Sequence, residues 1–239
     1  MKKNLFLMLQ IVLGFGLYYL LASIIDNTFI LLAAIIIVGV VIILIRSMYI
    51  RNESDVLEIL INPTEHFKVI KKHEMKDPNK YNTLLAYGLS YTGEFKEAQS
   101  ALDDIYYKDI KTSRNLHYSY YVTKLHLAYY NKDRELYGQT LHLAKEQNVF
   151  KKVGVPDGAF EAHLLLLEGQ SERAEEILKN VIPKVKKRIL VVELEYLLAL
   201  AYANQGETND SKAICDFIIG RKHPVVHTTL CEKLLESIA

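Results

Sequence analysis

The sequence predicts an all-α protein: an N-terminal two-helix transmembrane hairpin, then an α-solenoid of helical hairpins with a C-terminal capping helix. Three observations predict it. Two uncharged apolar runs open the chain, four similar polar turns then recur at near-constant spacing, and apolar residues at helical spacing flank each turn.

Residues 5–25 hold no charge and one strongly polar side chain, Gln10; residues 28–45 hold no charge at all. A hydrocarbon core about 30 Å thick needs roughly 20 helical residues. Both runs meet that length, and only Asp26-Asn27 clearly separates them. The reading is a hairpin within residues 1–50, its helices near 4–25 and 28–49. Met1-Lys2-Lys3 looks like the start of a signal peptide, but the apolar stretch is too long for one and no small-x-small cleavage site follows. Lys2 and Lys3 precede the first run, Arg46 and Arg51 follow the second, and the turn carries only Asp26. Basic residues stay on the cytoplasmic side, so both termini are expected there, in a cell membrane. Neither run has an ionisable residue within it, which argues against an ion path.

About 190 residues remain, enough for one domain with a sizeable core. Of the 239 residues, the part after position 50 carries 26 basic and 27 acidic side chains. No global field points to nucleic acid. Cys215 and Cys231 lie in apolar helical segments and do not make a disulfide framework.

Residues 51–76 read as a juxtamembrane linker of two short helices broken at Asn62-Pro63. From residue 77 onward the turns begin. Gly93, Lys132, Gly169 and Gly206 stand 39, 37 and 37 residues apart, each in a polar segment. A fixed period in this range marks stacked helical repeats. Ala86, Ala98, Ala162, Ala174 and Ala199 fall where paired helices must approach closely. Stacked repeats leave an apolar end, and residues 224–238 have the pattern of a cap: Pro224, then Val225, Val226, Leu230, Leu234, Leu235 and Ile238.

This organisation resembles the tetratricopeptide repeat family, over roughly residues 77–220. The resemblance is carried by Leu85-Ala86-x-x-Leu89-x-x-x-Gly93-Glu94-Phe95-x-x-Ala98, by Leu198-Ala199-x-x-Tyr202-x-x-x-Gly206-Glu207 and by the turn Asp77-Pro78-Asn79. Lys132 departs from it, and the spacing exceeds the family's period of about 34 residues. Elongated, degenerate repeats are therefore expected.

Chemistry is sparse. The sequence has no nucleophile elbow, no phosphate-cradling glycine loop and no His-Glu-x-x-His pair. Asp103-Asp104 and Glu175-Glu176 are neighbours that point apart on a helix. His223, His227 and Cys231 share a helical face but lack a fourth ligand, so no metal site is assigned. The chain reads as a non-enzyme without a cofactor. Sixteen tyrosines and no tryptophan are the more suggestive signal. The resemblance implies that the first helix of each pair lines a concave surface. Phasing on the turns then places Tyr87 and Tyr91, next Val122, His126, Tyr129 and Tyr130, then His163, and finally Tyr196 on that surface. Tyrosine suits a peptide groove, since it offers a broad apolar body and a hydroxyl. Lys and Asn, which the family uses to clamp a C-terminal carboxylate, are replaced here by Thr83, Tyr87, Val122 and His126. Lys184, Lys186, Lys187 and Arg188 form a basic run suited to anionic lipid.

The expected function is a membrane-anchored adaptor or scaffold that recruits a protein or peptide partner at the cytoplasmic face of the bilayer. Two alternatives stand beside it: a subunit or assembly factor of a secretion or envelope complex acting through its hairpin, and a peptide-sensing regulator. The partner and the oligomeric state stay open. Lys- and Ile-rich usage without tryptophan suggests a bacterial protein.

Overall fold

Contacts divide the chain into two compact units, residues 1–51 and 52–239. The computed structural model describes residue 57, residues 61–156 and residues 158–238, all in the second unit. The two apolar runs lie outside the described residues, and so does the expected hairpin. Among the described residues no helix is long and apolar enough to cross a membrane.

The described residues form twelve α-helices and no strand. Helix α1 is Pro63–Ile70 and α2 is Pro78–Thr92, joined through a short 3-10 turn. Then follow α3 (Phe95–Asp103), α4 (Tyr107–Ile110), α5 (Arg114–Tyr130), α6 (Arg134–Glu146) and α7 (Val149–Lys152). The last five are α8 (Glu161–Leu167), α9 (Ser171–Val181), α10 (Arg188–Asn204), α11 (Thr208–Gly220) and α12 (Val226–Ile238).

Local chemistry starts these helices where the sequence expects. Asn62 and Asp77 cap α1 and α2 by accepting the backbone N–H groups of Glu65 and Lys80, at 3.4 and 3.1 Å. Pro63 and Pro78 occupy first-turn positions, where a missing N–H costs nothing. Asp133 caps α6 through the Leu136 N–H at 2.9 Å.

The four recurrent turns share one construction. Gly93, Lys132, Gly169 and Gly206 all adopt the left-handed conformation, with φ of 87°, 57°, 72° and 81°. In each, the next N–H reaches back five residues: Glu94 to Leu89, Asp133 to Ala128, Gln170 to Leu165 and Glu207 to Tyr202, at 2.8–3.0 Å. That bond satisfies a carbonyl left open at the helix end. Each turn pairs two helices: α2 with α3, α5 with α6, α8 with α9 and α10 with α11. The five alanines expected at close approaches are fully buried.

Of the four turn residues, Lys132 alone holds this conformation with a Cβ, a strain of about 1 kcal/mol. Lys132→Gly removes the strain but frees the unfolded chain. We expect a net stabilisation of about 0.5 kcal/mol in urea unfolding; a loss of stability would show that the Lys132 side chain contributes more than its backbone strain costs.

The described residues of the segment read as a linker pack against the body. Leu57, Ile61 and Ile70 are buried, and α1 packs on α2. The approach is close because Gly88 has no side chain: a Cβ there would stand 2.5 Å from the Phe67 ring. The buried His66 donates from Nε2 to the Leu84 carbonyl at 2.9 Å, pinning α1.

The first helices of successive pairs, α2, α5, α8 and α10, pack in sequence around one core. Helix α12 packs on α10 and α11 and also returns to α2. Val226 comes so near the first turn that a Cβ on Gly93 would meet its Cγ2 at 3.0 Å. The last helix therefore closes the inner face rather than only covering one end.

Candidate functional site

Helix α10 reads as a core element: Ile189, Leu190, Val192, Leu194 and Leu197 are all buried. Glu193 lies among them, one turn before Tyr196 and on the same side. It is buried, with its carboxylate at the centre of four helices. Oε2 accepts the Tyr91 hydroxyl of α2 at 2.9 Å. Oε1 accepts Nε2–H of His126 on α5 at 2.9 Å and of His163 on α8 at 2.8 Å. A buried charge is tolerated only when paired and hydrogen-bonded, and Glu193 has three donors.

The outer shell extends the network. Ser90 Oγ donates to the Tyr87 carbonyl at 2.9 Å and lies 3.0 Å from His126 Nδ1. Tyr130 on α5 pairs its hydroxyl with His227 Nε2 of α12 at 3.1 Å. Tyr137 on α6 donates to the Phe160 carbonyl at 2.8 Å. Rings seal the gaps: Tyr91 meets His126 edge-on at 4.7 Å, and Tyr129 meets His163 edge-on at 4.8 Å.

Burial and pairing set the protonation. Burial pushes the Glu193 carboxyl up, but His126 beside it and the hydrogen bonds from both imidazoles outweigh it and hold it well below the usual carboxylate range. Burial lowers His163, and Glu193 offsets only part of that. Burial likewise lowers His227, to about 4. His163 Nδ1 and His227 Nδ1 have no hydrogen-bond partner, which suits neutral rings. Burial, followed by the Glu193 charge, pushes the Tyr91 and Tyr130 hydroxyls well above their ordinary value.

The residues expected to line a groove lie in the interior or at its edge. Tyr87, Tyr91, Val122, His126, His163 and Tyr196 are buried, and Tyr129 and Tyr130 are half-buried. The phasing rightly grouped them on the inner face, yet that face is packed interior. With α12 seated against α2, the side chains meet one another across it. Glu, His and Tyr are the residue types of acid–base sites, but here the carboxylate and its two imidazoles are at most 2% exposed. Their effect is to tie α2, α5, α8 and α10 together. Glu193 escaped the sequence reading, although a signal existed: it is an acid within an apolar helix, in phase with Tyr196.

The basic run is only partly free. Lys184, Lys186 and Arg188 are exposed. Lys187 is half-buried, its ammonium 4.6 Å above the Tyr118 ring. Of the three residues weighed for a metal, His227 and Cys231 are buried and His223 is half-buried.

No family model matches the chain, and neither the curated proteins nor the solved structures give a match to it.

Proposed function

We propose that the protein is a membrane-anchored scaffold: a tetratricopeptide-like α-solenoid held at the cytoplasmic face of a cell membrane by its N-terminal hairpin, presenting its outer helical surface to a protein partner. The observation that carries this reading is the construction of the body. Four identically built turns set helix pairs in series, and a buried carboxylate cross-links the first helices of those pairs. Such a body offers a fixed external surface, because the groups that would line a peptide groove bind each other instead. Anchoring adds affinity without new contacts, by raising effective concentration.

A second reading has its own support. Both apolar runs are free of charge, so helices built from them would offer apolar faces to other spanning helices. A subunit or assembly factor of a membrane complex would make its main contacts through that hairpin. One experiment separates the two. The hairpin is replaced by an unrelated two-helix anchor, and crosslinking in intact membranes identifies captured proteins before and after. A scaffold keeps its partner, whereas a complex subunit loses it. Recovery of the native chain in an aqueous wash of the membranes would defeat both readings.

A further inference from the structure

The fold gathers two basic segments that are remote in sequence. Helix α10 starts at Arg188 with no acidic residue in its first turn and no side-chain cap. Lys184 and Lys186 stand just before it, exposed. The turn between α11 and α12 lies against the first half of this helix. Arg221 Nη1 donates to Glu195 Oε2 of α10 at 3.1 Å. His223 in that turn is held below its ordinary value by burial, then by the charges of Arg221 and Arg188.

Among the described residues, Lys184, Lys186, Arg188 and Lys222 have no carboxylate partner. Glu195 of α10 is already engaged by Arg221. The corner is also amphiphilic. Phe217, in the last turns of α11, is 54% exposed, and the Arg221 guanidinium lies 4.0 Å from its ring centre. Exposed cations around an accessible aromatic ring match the interfacial layer of an anionic bilayer, where phosphates face the charges and the ring sits at headgroup depth.

We infer that this corner, built from the α10 start and the α11–α12 turn, is a docking surface for anionic lipid headgroups. The inference rests on the membrane-anchored reading above, since a tethered chain meets lipid at high local concentration and needs few charges to bind it. Lys187 takes no part, because its ammonium is committed to Tyr118.

The test uses the full chain reconstituted in phosphatidylcholine vesicles, with and without about one quarter phosphatidylglycerol. Amide hydrogen exchange is read at residues 182–188 and 217–225. With phosphatidylglycerol, exchange in both segments slows by about tenfold, and high salt reverses it. The variant Lys184→Glu, Lys186→Glu, Arg188→Glu loses this protection while keeping its helical circular dichroism and its flotation with neutral vesicles. Equal exchange in the two vesicle types overturns the corner, and so does protection obtained with soluble polyglutamate but not with phosphatidylglycerol. A chain that fails to float with neutral vesicles overturns the anchored reading instead, a result that flotation reports separately from exchange.

Discussion

Glu193→Ala unfolds the body far more readily than any surface substitution, at an expected cost of about 3–5 kcal/mol. The loss does not come from packing alone. It strands the Tyr91 hydroxyl and two imidazole N–H groups that now point at one carboxylate. Removing one member of a buried pair costs more than removing the whole set. The triple variant Glu193→Leu, His126→Leu, His163→Leu is therefore expected to recover much of the loss, because Ser90 keeps its bond to the Tyr87 carbonyl and only the Tyr91 hydroxyl is left to re-pair. Urea unfolding followed by circular dichroism measures both. A cost below about 1 kcal/mol for Glu193→Ala would place this carboxylate in the range of exposed ion pairs and dismiss its role as a cross-link.

Acid weakens the same body, and the window follows from the buried histidines. His227 titrates near 4 in the folded protein against an ordinary value of 6.5, with burial the largest cause. His163 is lowered too, again chiefly by burial. Between pH 6.5 and 4 the unfolded chain therefore binds more protons than the folded one. Stability falls as pH drops through that window, by roughly 3 kcal/mol from His227 alone on reaching pH 4. Glu193, held low in the folded state, adds a further loss only below its unfolded range, under about pH 4.5. His227→Gln keeps a polar group opposite Tyr130 but cannot gain a charge. It should flatten the profile of melting temperature against pH between 6.5 and 4. An unchanged slope would mean that His227 is solvated or detached in solution. Because His227 sits on α12, the helix that closes the inner face, the profile also reports on that closure.

The turns and the helix starts were legible in the sequence because their chemistry is local. Glycine marks a left-handed backbone wherever it stands, and Asn-Pro and Asp-Pro mark helix starts. Lys132 was legible through spacing alone, and it adopts the same conformation as the three glycines. The alanines at close approaches were legible for a related reason, since paired helices leave room for little more than a methyl group. The inner-face residues were grouped correctly, since helical phase says which side chains share a side. Phase does not say whether that side meets solvent, a ligand or another helix. Tyr87 and Tyr91 would read the same in an open groove and in a closed core.

Two features came only from the tertiary structure. The return of α12 to α2 turns the inner face into interior, and no local pattern in residues 224–238 distinguishes that from a simple end cap. The meeting of Arg221 with Glu195 is equally invisible in a linear reading, because it depends on how α10, α11 and α12 cross. The amino-acid sequence by itself determined which residues turn, which start helices and which share a face, because those properties depend on φ, ψ and a 3.6-residue period. What each face touches was decided by closure of the helices around Glu193, because burying a charge requires donors from α2, α5 and α8 to converge on one point.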